Sequence, residues 1–233
     1  MLIESILFDL DDTLHDRNRA LYMFIGQFIE HFSDAMDFDN SKLRDAFLEI
    51  DCKGYKPRKE MFRELQNLIS WRIKPEVQEL IDFWDMEFPK CAKPMTDLYR
   101  MLDFFLDKKI KMGIVTNGDS GFQNTKIEKL NLRQYMHTII ISEEVGIRKP
   151  DPEIFLLALS KMHSKPQTTL YVGDNPSTDI KGSSQAGLIP VWLNGGGIWC
   201  ETDFVPMFSI NNLCDLADLF DATDKTRKLD GVG

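Results

Sequence analysis

The chain has 233 residues, 43% of them hydrophobic and 28% charged, and a formal net charge of −9 at pH 7. This composition is typical of a globular protein with one large domain, or with a core and a smaller domain. The acidic balance argues against a nucleic acid polymer or an anionic membrane as partner, but it allows a small phosphorylated metabolite. No apolar run is long enough to span a membrane, and the N-terminus lacks a signal pattern. We therefore expect a cytoplasmic monomer or homodimer.

The first predicted element is a strand with a cluster of acids at its end. Almost every residue from Leu2 to Phe8 is apolar, which predicts a strand buried on both faces of a parallel sheet. Asp9 and Asp11 follow at its carboxyl end and point to the same side of an extended chain. Their repulsion, about 4 kcal/mol at about 4 Å in an effective dielectric near 20, is most simply offset by a divalent cation. The alternative interpretation is an Asp-rich turn that caps a helix.

The next part of the sequence changes to helical periodicity. Apolar residues recur at helical spacing over residues 21–32, and further helices are predicted at about 41–51, 59–71 and 75–88. Residues 16–92 therefore predict an all-helical domain, a four-helix bundle, inserted directly after the first strand. Its loop from Lys53 to Lys59 is basic, which suits either contact with a substrate or simple solvation, and solvation is the more common reason for such a cluster.

Strands and helices alternate in the rest of the chain. Strands are predicted at 111–115, 138–141, 169–172 and 189–193, with helices between them and a last helix at about 213–220. Repeated strand–helix units favour a parallel, doubly wound sheet. The predicted fold is thus α/β, with a five-stranded Rossmann-like core at residues 1–15 and 93–224, the helical domain at 16–92, and a tail at 225–233.

Polar residues follow the later strands as well. Thr116, Asn117 and Gly118 end the second strand, and a hydroxyl with backbone N–H groups at a helix start suits phosphate oxygens, although an ordinary loop explains them equally well. Lys149 precedes Pro150 in the segment that leads to the fourth strand. Its compact charge can neutralise both a phosphoryl group and a neighbouring carboxylate.

Two more acids, Asp174 and Asp179, follow the fourth strand. Helix capping explains one of them more readily than both. The acids and Lys149 therefore predict a site at the carboxyl edge of the sheet.

Taken together, these segments resemble the four motifs of the haloacid dehalogenase-like (HAD) hydrolase superfamily, in order and over about residues 3–193. The first is the DxDxT signature, which matches Asp9 to Thr13. The resemblance implies that Asp9 is the nucleophile and Asp11 the general acid/base. It also implies that Thr116, with Asn117 and Gly118, and Lys149 bind the phosphate.

The same resemblance implies a Mg²⁺ site. The ion would be held by the carboxylates of Asp9 and Asp174 and by the backbone carbonyl of Asp11, with Asp179 as a supporting acid. Haloacid dehalogenases themselves work without Mg²⁺ and lack an aspartate at the position of Asp11. The acid set of this chain is therefore typical of the phosphatases of the superfamily, in which the inserted helical domain is a cap.

The substrate is less clearly indicated. Residues 116–118, 141–146 and 192–194 resemble the branch that contains pyrimidine 5′-nucleotidases, which implies a nucleoside 5′-monophosphate as substrate. A sugar phosphate or phosphoglycolate is the alternative, and a phosphosugar mutase or a non-catalytic phosphate-binding protein are further ones. Asp119 departs from the small or apolar residue usual after the Thr-Asn-Gly turn. This departure matters because an acid beside a phosphate site is unfavourable unless it faces away.

Overall fold

The computed structural model describes residues 2–37, 40–54, 56–195, 199 and 204–230. The chain divides into two units, one formed by Met1–Asp16 and Pro94–Gly233 and the other by Arg17–Lys93. Among the residues that the structure describes, no helix combines the length and the apolar composition that a membrane span needs.

The first unit is built on a six-stranded sheet in which every neighbouring pair of strands is parallel. The strands are β1 Ser5–Phe8, β2 Lys111–Thr116, β3 Thr138–Ile141, β4 Thr169–Gly173, β5 Ile189–Leu193 and β6 Phe208–Ile210. Their order is β3-β2-β1-β4-β5-β6. The predicted α/β fold with a parallel sheet is confirmed, but the predicted number of five strands is wrong. β6 has only three residues and a single buried side chain, so it lacks the apolar run that marks the other strands.

In its described residues, the Arg17–Lys93 unit has four α-helices packed around aromatic side chains. Phe24 lies at the centre of this cluster, with its ring centroid 4.7 Å from that of Trp84 and 6.0 Å from that of Phe47. The helices are α1 Arg17–His31, α2 Asn40–Asp51, α3 Arg58–Leu68 and α4 Val77–Glu87. The function of this unit as a cap stays a prediction.

The described α-helices of the first unit lie between its strands, except for the last helix, which follows β6. They are α5 Leu98–Asp107, α6 Ser120–Lys129, α7 Ser142–Val145, α8 Pro152–Met162, α9 Gly182–Gln185 and α10 Asp215–Asp230, with a π-helical segment at Pro176–Lys181. The prediction that the last helix ends near residue 220 is wrong, and most of the predicted tail is helical. Residues 221–230 include Ala, Leu, Lys and Arg but no Gly or Pro, so the helix can continue up to Gly231.

The strand order creates a switch point beside β1. The chain runs from β1 to β2 and β3 on one side, then returns to β4 on the other side of β1. Parallel sheets of this kind bind ligands at the carboxyl ends of the strands, where the order reverses. The backbone N–H of Asp9 donates to Val172 O at 2.9 Å, so the residues that follow β1 and β4 are neighbours at that edge.

Candidate active site

The centre of the candidate site is a buried lysine between two carboxylates. Lys149 Nζ lies 2.5 Å from Asp9 Oδ1, 2.6 Å from Asp179 Oδ1 and 2.9 Å from the hydroxyl of Tyr171. An ammonium group has three protons to donate, so these contacts use all of them. Burial alone would lower the pKa of Lys149, but Asp179 and Asp9 outweigh this effect and hold the pKa well above its ordinary value. The lysine is therefore a fixed positive charge beside Asp9.

The backbone of Lys149 is held by Asn117. The Asn117 amide donates to Lys149 O at 2.9 Å and accepts from Lys149 N at 2.8 Å. This pair of hydrogen bonds ties the end of β2 to the segment that carries the lysine. The side chain of Asn117 is thus used to position Lys149, and its predicted contact with phosphate stays a prediction.

The π-helical segment after β4 places Asp179 beneath the strand end. Asp179 Oδ2 accepts from Asn175 N at 3.1 Å, while its other oxygen accepts from Lys149. A Cβ atom at Gly173 would lie 2.5 Å from Asp179 Oδ2, so only glycine leaves room for this carboxylate. Asp179 is consequently held in place, and its role as a supporting acid stays a prediction.

Three acids converge on one spot. Asp9, Asp174 and Asp179 each offer a carboxylate oxygen, and these oxygens lie within 4.8 Å of one another. Burial raises the pKa of Asp9 to about 7, against the opposing effect of Lys149. Burial, together with repulsion by Asp179 and Asp9, raises the pKa of Asp174 to about 9. With all three acids ionised, Lys149 would offset only one of the negative charges, so the donor set fits a divalent cation that prefers oxygen ligands.

The Asp11 side chain points into a different set of contacts. Its carboxylate accepts from His15 Nδ1 at 2.8 Å, from Gln123 Nε2 at 3.0 Å and from Lys126 Nζ at 2.7 and 2.9 Å. Burial would raise the pKa of Asp11, but the Lys126 charge and the His15 hydrogen bond hold it well below its ordinary value. These contacts favour the ionised form of Asp11, and they involve none of the other three acids.

The turn after β2 is held on both sides. Thr116 is buried, and its hydroxyl accepts from Gln123 Nε2 at 2.6 Å. Gly118 N donates to Ser142 Oγ at 3.0 Å, so this N–H has a partner within the protein and its predicted contact with phosphate stays a prediction. Asp119 is exposed and caps α6 by accepting from Phe122 N at 2.9 Å. The unexpected acid therefore has an ordinary structural reason.

Four residues of this constellation are absent from the sequence-based prediction. They are His15, Gln123, Lys126 and Tyr171, all of which are buried. Gln123 and Lys126 are three residues apart on the helix that follows the Thr-Asn-Gly turn, so they share one face of it. This spacing is the one signal in the sequence that could have indicated these two residues.

The basic loop of the helical unit has partners of its own. Lys56 Nζ lies 2.6 Å from Glu64 Oε2, and the Arg58 guanidinium lies 4.4 Å from the centroid of the Trp84 ring. Arg17, at the start of α1, forms a buried ion pair with Asp51. Tyr55 and the side chain of Lys53 lie outside the described residues, so substrate recognition by this loop stays a prediction.

The acid cluster leads to a prediction about the metal-free protein. Unfolding should lower the pKa of Asp174 from about 9 towards its ordinary value near 3.8. The native state then binds more protons than the unfolded state between these values, so stability should fall as the pH rises. Asp174→Asn should raise the melting temperature in EDTA at pH 8.5, by roughly 2–4 °C for each kcal/mol that it adds to the free energy of unfolding. It should have little effect at pH 4.

Thermal denaturation at both pH values checks this expectation. Asp107→Asn, which removes an exposed acid at the end of α5, is the matched control and should change neither melting temperature. Mg²⁺ should stabilise the wild type at pH 8.5 and should stabilise Asp174→Asn less. A lower melting temperature for Asp174→Asn in EDTA at pH 8.5 would contradict the repulsion inferred for the cluster.

Comparison with known proteins identifies the family. The family model described as haloacid dehalogenase-like hydrolase matches residues 6–192. Pyrimidine 5′-nucleotidase YjjG of Escherichia coli is 37% identical over 221 residues, which cover 92% of this chain and 96% of that protein. Glyceraldehyde 3-phosphate phosphatase of Methanopyrus kandleri is 27% identical over 242 residues, which cover 94% of this chain and 97% of that protein.

A solved structure has the same fold. YfnB from Bacillus subtilis, described as a HAD-hydrolase and bound to magnesium, aligns with a TM-score of 0.77 at 22% identity, over 94% of this chain and 99% of that one. The chain therefore belongs to the haloacid dehalogenase-like hydrolase family, as the resemblance implied. The prediction that it is an enzyme of the hydrolase class is confirmed with it.

Proposed function

We propose that the protein is a Mg²⁺-dependent phosphatase that hydrolyses a small phosphate monoester through an aspartyl-phosphate intermediate. The observation that carries this proposal is Asp9, a buried carboxylate 2.5 Å from Lys149 and within 4.8 Å of two further acids. Attack by a carboxylate on an anionic ester is very slow unless the charges are neutralised. Similar proteins named as a phosphatase and as a nucleotidase support the same class of reaction.

The first half-reaction transfers the phosphoryl group to the enzyme. A carboxylate oxygen of Asp9 forms a bond to phosphorus while the bond from phosphorus to the ester oxygen breaks. The departing oxygen takes a proton from Asp11, which must itself be protonated at this stage. Thr116 donates its hydroxyl to a phosphoryl oxygen, and Lys149 neutralises negative charge beside Asp9.

The second half-reaction releases phosphate. Asp11, now ionised, takes a proton from a water molecule as that water forms a bond to phosphorus and the bond to the Asp9 oxygen breaks. Asp11 can accept this proton because Lys126 and His15 stabilise its ionised carboxylate. Asp9 is restored and inorganic phosphate leaves.

The residues fit a role for Mg²⁺ in this reaction. Asp9 and Asp174 would hold the ion with their carboxylates, and Asp11 would hold it with its backbone carbonyl. The carboxylate oxygens of Asp179 already accept hydrogen bonds from Lys149 and Asn175. Bound there, the ion neutralises phosphoryl charge and aligns the group for in-line displacement.

We further propose a nucleoside 5′-monophosphate as substrate. The support is the 37% identity to YjjG over nearly the whole of both chains. A small sugar phosphate such as glyceraldehyde 3-phosphate is the second candidate, because a phosphatase of that name is also similar over 94% of this chain.

A phosphate-release assay tests the proposal. We expect hydrolysis of p-nitrophenyl phosphate to require Mg²⁺ and to disappear in EDTA. Among pyrimidine and purine nucleoside monophosphates, glyceraldehyde 3-phosphate, phosphoglycolate and hexose phosphates, pyrimidine monophosphates should give the highest kcat/KM. Product analysis on the hexose phosphates reveals a mutase, which isomerises its substrate and releases little phosphate.

The contrary outcomes are distinct. Full turnover in EDTA would contradict the Mg²⁺ proposal, and a preference for glyceraldehyde 3-phosphate would select the second substrate. If the folded protein hydrolysed none of these esters, a non-catalytic phosphate-binding protein would be the better interpretation.

A further inference from the structure

Helix α6 brings two buried polar side chains to the Asp11 carboxylate. Gln123 and Lys126 lie three residues apart on this helix and are 2% and 5% exposed. Residues with this spacing lie on one face of a helix. Lysine is rarely buried unless it is paired, so the position of Lys126 requires an explanation beyond packing.

The contacts of Lys126 determine the orientation of Gln123. Lys126 Nζ lies 2.7 and 2.9 Å from the two Asp11 oxygens and 2.8 Å from Gln123 Oε1. Because an ammonium group only donates, the Gln123 atom that faces it must be the carbonyl oxygen. The amide nitrogen is then turned to Asp11 Oδ2 at 3.0 Å and to Thr116 Oγ1 at 2.6 Å. Both of its protons are used.

Gln123 in turn affects the Thr116 hydroxyl. Since Thr116 Oγ1 accepts a proton from Gln123, its own proton must point elsewhere, and its distance to Asn117 O is a long 3.5 Å. A Cβ atom at Gly118, where φ is +151°, would lie 3.1 Å from Gln123 Cγ and Cδ. Gln123 thus packs directly against this turn and leaves the threonine proton available to a ligand.

We propose that Lys126 and Gln123 are positioning residues for the hydrolytic reaction. Lys126 fixes the Asp11 carboxylate and, through the Gln123 amide, directs the Thr116 hydroxyl to the phosphoryl group. This inference rests on the proposed function, in which Asp11 transfers protons and Thr116 binds phosphate. If the contacts only held α6 in place, Lys126 and Gln123 would affect folding but not these two groups.

A double-mutant cycle tests the link between Lys126 and Asp11. We measure kcat for Lys126→Met, Asp11→Asn and the double variant with p-nitrophenyl phosphate and Mg²⁺. Lys126→Met should lower kcat at least about 10-fold in the otherwise wild-type protein, a part of the about 10²–10⁴-fold contribution of a general acid/base. In the Asp11→Asn background it should lower kcat less than about twofold. An equal loss in both backgrounds would overturn the proposal.

The leaving group gives a second readout that a structural role would not change. The constant kcat/KM covers the steps up to loss of the leaving group, and an alkoxide needs a proton there whereas nitrophenolate does not. Lys126→Met should therefore lower kcat/KM several-fold more for an alkyl phosphate, such as glycerol phosphate, than for p-nitrophenyl phosphate. Equal losses on the two esters would assign Lys126 to general stability or phosphate binding.

Matched variants complete the experiment. Lys129→Met changes an exposed lysine on the same helix and should leave kcat and the melting temperature unchanged. If Lys126→Met does not fold, Gln123→Met decides the question, since it should raise KM several-fold but not in a Thr116→Val background. Additive effects of Gln123→Met and Thr116→Val would then overturn the proposal. A wild type inactive on every ester would contradict the proposed function itself.

Discussion

We expect Asp9→Asn to lower kcat by at least about 10⁴-fold and to prevent formation of the aspartyl-phosphate. An amide oxygen is a poor nucleophile, and the variant also removes the carboxylate that faces Lys149 at 2.5 Å. Mass spectrometry of acid-quenched enzyme after mixing with substrate measures the intermediate, and phosphate release measures turnover. The wild type should yield a phosphorylated protein, whereas Asp9→Asn should not.

Asp11→Asn is the informative companion variant. Its proposed metal ligand is a backbone carbonyl, so Mg²⁺ affinity should be largely retained, whereas Asp9→Asn and Asp174→Asn should weaken it. Turnover should fall by about 10²–10⁴-fold, the usual effect of losing a general acid/base. Equal losses of Mg²⁺ affinity in Asp9→Asn and Asp11→Asn would contradict the division of roles between the two acids.

The parts of the site that follow strand ends could be predicted from the sequence. Asp9 follows a fully buried strand, and Asp174 follows another, so a parallel sheet necessarily places them at one edge. Lys149 was a candidate because its charge lies in the segment that leads to β4, and the resemblance to the family implied its phosphate-binding role. The partners of the lysine could be identified only in the structure, because the sequence indicates Tyr171 only as a further buried residue of a strand.

The groups around Asp11 could not be predicted in the same way. Lys126 is buried because Asp11, 115 residues away in the chain, neutralises it. A sequence pattern reports only neighbours along the chain, and a lysine near the end of a helix is usually solvated. Asp119 illustrates the converse, because its N-cap position before Ser-Gly-Phe is a local signal that is readable from the sequence.

We expect Lys149→Met to cause both a large loss of stability and a large loss of activity. The substitution leaves Asp9 and Asp179 buried and without their shared cation, and breaking a buried pair in this way costs about 3–5 kcal/mol. The loss of a charge that stabilises the transition state should lower kcat by a further factor of about 10²–10³. Thermal denaturation and phosphate release measure the two effects separately.

Tyr171→Phe and Mg²⁺ distinguish the causes. Tyr171→Phe removes only one of the three acceptors of Lys149, so it should cost about 1–3 kcal/mol and leave most of the activity. In Lys149→Met the three acids lose the positive charge of Lys149, so added Mg²⁺ should raise the melting temperature of this variant by more than it raises that of the wild type. A Lys149→Met protein that melts like the wild type in EDTA, or that gains no stability from Mg²⁺, would contradict this balance of charges. Because a protein that binds Mg²⁺ yet fails to turn over has kept its metal site, the remaining loss of activity then measures what Lys149 contributes to phosphoryl transfer.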